Sequence, residues 1–296
     1  MKVYETGNIR NVVVMGHGGC GKTTLVEAIA YQTGITARMG KVTDGNTISD
    51  YDKEEQKRQF SISTSVVPVE FEDIKINFLD TPGYFDFVGE VEEACHAAGA
   101  AVIVINGKSG VEVGTLKAWE LCEKYKLPRL FFVTGMDDDQ ASYRKIVLEL
   151  NDRFGRKVAP FHVPIRENEK FVGFVNVVKM KGRRFINDTS EYEECDIPDY
   201  MDKHLNISRD ALVEAVADTS EELMERYFAG EEFTYEEVST ALRTHVMDCQ
   251  IVPVLVGSGV HNQGTSMLMN VIKKYFPSPE YTINQRSEEH TSELQS

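Results

Sequence analysis

The feature that most constrains this chain is a glycine-rich segment, residues 16–23, with the sequence GHGGCGKT. It matches the pattern G-x-x-x-x-G-K-[ST], follows an apolar run at residues 11–15 and precedes a helical pattern at about residues 24–32. Glycines in such a turn let successive backbone N–H groups face phosphate oxygens, and the helix N-terminus adds partial positive charge. Lys22 is then expected to reach the β- and γ-phosphates of a nucleotide, and the Thr23 hydroxyl a Mg²⁺ ion. The segment therefore predicts a phosphate-binding loop rather than a merely structural glycine turn.

A second motif, DTPG, follows the apolar run 74–79 and ends at Gly83. An aspartate at the end of a strand can hold Mg²⁺ through a water, and a glycine can present its N–H to a γ-phosphate. We therefore expect Asp80 and Gly83 to face the phosphate-binding loop. Together the two motifs give the predicted phosphate-binding set: Gly16, His17, Gly18, Gly19, Cys20, Gly21, Lys22, Thr23, Thr24, Asp80 and Gly83.

Strand-like and helix-like patterns alternate through the first half of the chain, which predicts a mostly parallel sheet with helices on both faces. A polar, aperiodic stretch at residues 36–62 is too long for an ordinary connection and predicts a mobile functional loop. The remaining predicted elements of this half are a hairpin at 65–71 and 74–79, helices near 88–98, 115–125 and 140–153, and strands at 100–105 and 129–134.

From about residue 159 the pattern changes, and it resumes with a strand at 251–256 and a helix at 264–276. An insertion inside one α/β domain explains this order better than two tandem domains. The insertion is predicted to contain β runs at 161–165 and 171–180 and helices at 208–228 and 234–249.

The negative charge of the chain is concentrated in that insertion. Residues 186–240 hold seventeen acidic and three basic residues, a charge of −14, so the other 241 residues carry −1 of the chain's −15. Such a segment is either a pair of solvated helices or a docking surface for a basic partner.

Several classes of protein are disfavoured by composition. The sequence has no apolar run long enough to span a bilayer and no signal-peptide pattern at its start. Its five cysteines are far apart, without a C-x-x-C pair, which argues against a zinc site or disulfide framework and fits a reducing cytosol. The net charge of −15 also disfavours holding nucleic acid through bulk attraction. We therefore expect a cytoplasmic protein that binds neither membrane nor DNA.

The motifs together resemble the translational GTPases, most closely elongation factor G and its paralogues. The resemblance covers residues 8–282 and includes the segments NIRNVVVMGHGGCGKTTL, DYDKEEQKRQFSIS, INFLDTPGYFDFVGEV, PIRENEKFVGFVNVVKMK and PVLVGSGVHNQG. It implies a P-loop NTPase GTPase domain of the α/β class carrying an inserted α+β subdomain. It also implies that residues 36–65 form the first switch loop, where Ser61 stands at the place of the Mg²⁺-binding threonine, and that Thr23, Ser61 and Asp80 hold the metal.

Three departures from the family pattern affect the expected chemistry. Tyr84 replaces the histidine that positions the attacking water, and a neutral phenol is a poor base that can still orient water by hydrogen bonding. The guanine-reading pattern N-K-x-D is T-G-M-D at residues 134–137, so Asp137 is left to recognise the base, with Ser258 in a second base-contacting loop. Gly19 and Cys20 stand where elongation factor G usually has Asp and Ala; Cys20 either has a lowered pKa beside the helix N-terminus or is simply a small residue.

The resemblance implies Mg²⁺-dependent GTP hydrolysis coupled to ribosome binding, in translocation or ribosome disassembly, with Lys22, Gly83 and Tyr84 as the catalytic residues. It further implies a monomer whose acidic segment, residues 186–240, meets the stalk protein of the large ribosomal subunit. One alternative is a ribosome-associated guanine-nucleotide-binding regulator with little or no hydrolysis. A further one is an ATP-using P-loop protein, which the missing Asn and Lys would permit.

The predicted organisation has four parts. Residues 1–158 and 250–285 form the GTP-binding domain, and residues 159–249 form the inserted subdomain. Residues 286–296, RSEEHTSELQS, resemble the translation of a sequencing-adapter oligonucleotide, so we interpret them as non-native and the chain as a fragment of a longer protein.

Overall fold

The computed structural model describes residues 2–186 and 189–281. Within these residues, seven strands form a main sheet: β1 (Ile9–Gly16), β2 (Ser65–Phe71), β3 (Ile74–Asp80), β4 (Ala100–Asn106), β5 (Arg129–Thr134), β6 (Val158–Pro160) and β11 (Val252–Val256). Their order across the sheet is β2-β3-β1-β4-β5-β11-β6, in which β2 is antiparallel to its neighbour and the other pairs are parallel. The predicted α/β fold with a mostly parallel sheet is confirmed.

Helices cover both faces of the main sheet. The helices are α1 (Lys22–Gln32), α2 (Lys53–Arg58), α3 (Val88–Ala97), α4 (Val113–Lys124), α5 (Tyr143–Phe154), α6 (Asp202–Ala217), α7 (Glu221–Phe228), α8 (Tyr235–Met247) and α9 (Thr265–Tyr275). In β1, Val12 and Val14 belong to the apolar layer on one face, and Val13 and Met15 to the layer on the other. The first layer contains residues of α1 and α9, and the second contains residues of α3, α4 and α5.

A second, antiparallel sheet lies between β6 and α6 in the chain. Its order is β10-β9-β8-β7, from β7 (His162–Glu167), β8 (Lys170–Asn176), β9 (Lys181–Phe185) and β10 (Tyr192–Cys195). The sequence pattern predicted the first two of these strands and missed β9 and β10, because their charged residues hide the alternation of strands. The chain leaves the main sheet after Pro160, so the predicted boundary at 158/159 falls inside β6.

Two other predictions were wrong in detail. The predicted helix at 208–228 is two helices, α6 and α7, because the Ser220 side chain accepts a hydrogen bond from the Leu223 N–H and starts a new helix. The stretch 36–62 is not irregular throughout, since it contains a 3₁₀ turn, Val42–Asp44, and helix α2. Asp52 and Glu55 form a capping box at the start of α2, a signal that the sequence did carry.

The apparent adapter sequence, residues 286–296, lies outside the described residues. In the described part of the chain, no helix combines the length and apolar character needed to cross a membrane.

Candidate nucleotide-binding site

The phosphate-binding loop leaves the C-terminal end of β1 and enters α1 directly. Gly16 has φ +147°, and a Cβ built on it would lie 2.5 Å from the carbonyl oxygen of Val104 on the neighbouring strand. Gly21 caps α1 in the left-handed region, with φ +98°. Side chains at these two positions would clash or be strained, so the glycines set both the exit from the strand and the entry to the helix.

Lys22 is buried, at 6% exposure, and its ammonium group points back into the loop. Its Nζ donates hydrogen bonds to the carbonyl oxygens of Gly16, at 3.2 Å, and His17, at 3.0 Å. The positive charge of Lys22 therefore lies inside the turn of the loop. An anion bound there would contact both this ammonium group and the first N–H groups of α1.

Gly83 lies directly against the loop. A Cβ built on Gly83 would lie 2.7 Å from the Cα of Gly18 and in contact with Lys22 Nζ. The structure therefore brings the two sequence motifs together, and any side chain larger than hydrogen at position 83 would push them apart.

Hydroxyls and carboxylates meet beside Lys22. The Oγ1 of Thr23 and the Oγ of Ser61 are 3.2 Å apart, and the Ser61 hydroxyl donates to Asp50 Oδ1 at 2.7 Å. Next to them, the Ser49 hydroxyl donates to Asp80 Oδ2, also at 2.7 Å. The three residues predicted to hold a metal are joined by two that the sequence analysis missed, Ser49 and Asp50.

The carboxyl groups of Asp50 and Asp80 are both buried, and burial disfavours their charged forms. Burial raises the pKa of Asp80 to about 6, against the opposing effects of the Ser49 hydroxyl and the Lys22 charge. Burial also raises the pKa of Asp50, which the hydrogen bond from Ser61 partly offsets. Within the described residues, Asp80 Oδ1 is buried and has no hydrogen-bond partner.

This oxygen-rich cluster fits a Mg²⁺ ion. Mg²⁺ prefers hydroxyl, carboxylate and water oxygens, and a cation would satisfy the orphaned Asp80 oxygen and relieve the cost of burying its charge. Among residues 2–186 and 189–281, no three His, Cys, Asp or Glu side chains come together as a metal site, so binding here would depend on the hydroxyl oxygens beside the two carboxylates. The residues that would hold the ion are Thr23, Ser61, Asp80 and Asp50.

Two buried glutamates fix the segment 36–62 over the site. Glu27 in α1 accepts hydrogen bonds from the Gly40 and Ile48 N–H groups, both at 2.7 Å. Glu55 in α2 accepts from the Ile62 and Ser63 N–H groups, at 2.9 and 3.1 Å. These bonds place Asp50 and Ser61 beside Thr23. Sequence periodicity could not predict this placement, because the four N–H groups that the glutamates bind lie outside helices and strands.

Tyr84 covers the loop from the side of α3. Its ring packs on Phe60, with centroids 4.7 Å apart, and a Cβ built on Gly18 would lie 3.3 Å from Tyr84 Cζ. The side chain remains 48% exposed. Tyr84 therefore both packs against the two loops and keeps access to solvent beside the phosphate-binding loop.

The structure decides between the two alternatives for Cys20. This residue is 2% exposed, and burial raises the pKa of its thiol rather than lowering it, although the nearby Lys22 acts in the opposite direction. Cys20 is therefore a small buried residue behind the loop and not a reactive thiolate.

His17 is held against helix α4. Its Nδ1 accepts from the Gly114 N–H at 3.3 Å, and its Nε2 lies 3.6 Å from Glu112 Oε1. The side chain thus tethers the loop to the start of α4, while the backbone of His17 contributes to the turn.

The loops predicted to read the base meet at the other end of the site. The Thr134 hydroxyl accepts from the Gly259 N–H at 3.3 Å, and its methyl group contacts the position of a Cβ on Gly21 at 3.2 Å. Met136 is fully buried and cannot present its side chain to a ligand, whereas the carboxyl side chain of Asp137 is 30% exposed. His261 Nε2 lies 3.7 Å from Asp137 Oδ2, a neighbour that the sequence analysis did not single out.

Ser258 is fully buried and organises its own loop. Its Oγ accepts from the His261 N–H at 3.3 Å, and its backbone pairs with Gln263. Gly259 packs on the first turn of α1, where a Cβ would lie 3.3 Å from the Leu25 nitrogen. The base-reading loops and the phosphate-binding loop are thus in direct contact.

A cavity of about 190 Å³ opens between the phosphate-binding loop, the segment 36–62 and the turn at Gly83 and Tyr84, and none of the described residues that line it belongs to the two base-reading loops. It is lined by Gly18, Gly19, Gly21, Lys22, Thr23, Thr24, Val42, Asp50, Gln59, Phe60, Ser61, Gly83 and Tyr84.

Comparison with known proteins agrees with this geometry. The family model described as the elongation factor Tu GTP-binding domain matches residues 7–278. A crystal structure of a protein from Thermus thermophilus is 36% identical in sequence and superposes with a TM-score of 0.85. That match covers 93% of this chain and 41% of the Thermus chain, so the chain spans about two fifths of the length of that protein.

Proposed function

Because this chain belongs to the elongation factor Tu GTP-binding domain family, a family of GTPases, we propose that it is the GTP-binding domain of an elongation factor G-like protein. In this proposal it hydrolyses GTP with Mg²⁺ and couples hydrolysis to ribosome binding, in translocation or ribosome disassembly. The observation that carries it is the junction of the two motifs, in which Gly83 contacts the loop that holds Lys22.

The phosphates are proposed to bind along the N-terminus of α1. The loop amides and Lys22 would stabilise negative charge on the β- and γ-phosphates, and the Gly83 N–H would bind the γ-phosphate. Gly83 is in contact with Gly18 and Lys22. Loss of the γ-phosphate would therefore remove a contact to the segment that begins at Asp80 and allow that segment to move.

Mg²⁺ is proposed to bind between Thr23, Ser61 and Asp80, with Asp50 as an additional carboxylate. When bound, the ion neutralises charge on the phosphates. Ser61 and Asp50 lie in the segment anchored by Glu27 and Glu55, so metal and nucleotide would together hold this segment in place.

Tyr84 is proposed to orient the attacking water through its hydroxyl group and not to act as a base. Its ring is fixed by Phe60 and Gly18, which directs the side chain along the edge of the loop. A tyrosine in the place of a histidine provides no general base for the water, so we expect a slow intrinsic rate.

Guanine recognition is proposed to rest on Asp137, with Ser258 shaping the second base-contacting loop. A carboxylate can accept hydrogen bonds from both N1–H and the 2-amino group of guanine, which adenine cannot offer in the same way. The exposed Asp137 side chain and the buried Met136 agree with this division of roles.

The inserted subdomain is proposed to be the docking surface for the ribosome. It begins after Pro160 and ends before β11, with the acidic segment 186–240 including α6 and α7. A surface of this charge would attract a basic patch on the stalk protein and accelerate encounter. We propose that the domain acts in the cytoplasm as a monomer.

The second candidate is a guanine-nucleotide-binding regulator that associates with ribosomes and hydrolyses little GTP. The packing of Tyr84 on Phe60 favours it, because a ring used for packing is less free to position water.

Phosphate release from GTP and ATP, with and without ribosomes, separates these candidates. Tyr84→Phe keeps the ring on Phe60 and Gly18 and removes the hydroxyl, so it is expected to slow stimulated GTP hydrolysis roughly tenfold without changing GTP affinity. Tyr84→His is the matched variant that restores a base and is expected to raise the rate. Equal and negligible release from all three proteins would support the regulator, and equal affinity for ATP and GTP would contradict guanine specificity.

A further inference from the structure

A second and larger cavity, of about 790 Å³, lies far from the phosphate-binding loop. Arg10, the second residue of β1, lines it, whereas the loop begins at Gly16, the last residue of that strand. Six residues of strand put about 20 Å between the two sites. We call this cavity the basic cleft; it lies between α8, α9 and strands β8 and β9.

Six cations and one carboxylate, Glu72, line the basic cleft, and four of the cations come from separate elements around it. Lys179 follows β8, Arg183 is in β9, Arg243 is in α8 and Lys274 is in α9. Among the residues that the structure describes, none of these four forms an ion pair with a carboxylate within 4.0 Å. The neighbouring Lys273 behaves differently, since it pairs with Glu72 and Asp73. In a chain of net charge −15, four uncompensated cations in one cavity are an unusual concentration of positive charge.

Arg183 carries the strongest sign that a ligand belongs here. It is 7% exposed, its guanidinium carbon lies 4.5 Å above the Tyr192 ring, and one terminal nitrogen contacts the Met267 sulfur at 3.4 Å. Within the described residues its Nε is buried without a hydrogen-bond partner. In the described ranges the N–H groups of this buried guanidinium therefore lack oxygen acceptors, and an anionic ligand in the cleft would supply them.

The cations act on one another electrostatically. Burial lowers the pKa of Lys274 and the charges of Arg243 and Lys179 lower it further, while Tyr235 acts in the opposite direction. Lys274 Nζ donates to the Ser239 hydroxyl at 3.0 Å, which holds it at the wall of the cleft. An anion between these side chains would remove the repulsion that they now share.

We propose that the basic cleft binds a small ligand that carries two or more phosphate groups. Its volume is within the range of about 300–1,000 Å³ usual for small-molecule sites. Arg183 and Arg243 offer planar donors suited to phosphate oxygens, and Lys179 and Lys274 supply ammonium charges. A compact ligand is favoured over a long nucleic acid, because the acidic remainder of the surface repels an extended polyanion.

The test is a calorimetric titration of the full chain with inorganic tripolyphosphate, in EDTA and with excess GDP to fill the phosphate-binding loop. Lys179→Ala/Arg243→Ala removes two exposed cations of the cleft, and Lys117→Ala/Lys145→Ala removes the same charge from α4 and α5. The cleft variant is expected to weaken tripolyphosphate binding by roughly tenfold or more, and the matched control by less than about twofold.

Three results would overturn the proposal: no binding by the wild-type chain, equal weakening in both double variants, or tighter binding of a single-stranded RNA than of tripolyphosphate at equal phosphate concentration. The last would assign the cleft to nucleic acid. GDP affinity measured separately on each variant shows whether the nucleotide site is intact, so failure of the cleft and failure of the proposed GTPase function are distinguishable.

Discussion

The phosphate end and the base end of the candidate site are built in different ways. At the phosphate end, backbone geometry, a buried lysine and a cluster of hydroxyls and carboxylates converge within hydrogen-bonding distance. At the base end, Thr134 and Ser258 are buried in contacts between loops, and Asp137 is the exposed carboxyl. From this difference we expect nucleotide affinity to reside mostly in phosphate and metal contacts, and the choice of base to depend on few groups.

Lys22→Ala should give the largest effect. Loss of its charged hydrogen bonds to the phosphates is expected to weaken GTP and GDP binding by about 3 kcal/mol, roughly a factor of 100. Fluorescent-nucleotide titration measures it, with Lys117→Ala as an exposed control in the same charge class. If Lys22→Ala bound GTP as tightly as the wild type, the phosphate end would not dominate.

Asp80→Asn should come next and should act through the metal. It is expected to lower the apparent Mg²⁺ affinity of the GTP complex by roughly 10- to 100-fold, since the carboxylate that holds the ion, directly or through a water, is lost. Asp52→Asn, at the exposed cap of α2, is the matched control. An unchanged Mg²⁺ dependence of GTP binding in Asp80→Asn would exclude Asp80 from the metal site.

Asp80 also makes a prediction for stability, with a definite sign. Its pKa in the folded chain, about 6, is above the ordinary 3.8, so the metal-free folded chain binds the proton more tightly than the unfolded chain. The Asp80 contribution therefore disfavours folding above about pH 6 and disappears as pH falls towards 4.

In urea unfolding with EDTA, Asp80→Asn should therefore be more stable than the wild type between pH 5 and 7.5, by an amount on the order of 2 kcal/mol. The difference in unfolding free energy should be larger at pH 7.5 than at pH 5, because more of the Asp80 carboxyl is ionised in the folded wild type at the higher pH. With saturating Mg²⁺ and GTP the order should reverse, because the wild type then binds the ion. A stability difference that is the same at both pH values would contradict a raised Asp80 pKa.

Asp137→Ala should have a smaller effect that is specific to the base. It is expected to cost GTP binding about 2 kcal/mol and to bring GTP and ATP affinities close together. Asp139→Ala, two residues along the same loop, is the control. Retained preference for GTP in Asp137→Ala would place guanine recognition elsewhere.

Thr134→Asn should give the smallest change, and in the favourable direction. An amide at this position can add one hydrogen bond to the base, worth about 1 kcal/mol or roughly a fivefold gain in GTP affinity. Thr134→Val removes the hydroxyl without adding an amide and should not gain affinity. A loss in Thr134→Asn would mean that the hydrogen bond from Gly259 to Thr134 matters more than the new contact.

Much of this molecule is determined by its sequence taken alone. The glycines of the loop, Lys22 and the apolar strand β1 follow each other in a fixed local order, so the loop and the parallel sheet could be predicted from patterns of a few residues. The local signal fails where charge hides a strand, as in β9, or where a cap divides a helix, as at Ser220.

What the tertiary structure decided is which distant groups share one environment. Asp50 comes to the Thr23–Ser61 pair because buried Glu27 and Glu55 bind amides far along the chain, and burial then shifts the pKa of Asp80 and Asp50 upwards. Likewise, Lys179, Arg183, Arg243 and Lys274 are scattered in an acidic sequence and form one basic cleft when two sheets and two helices meet. Desolvation and long-range contact are properties of the packed chain, and no local pattern of residues encodes them.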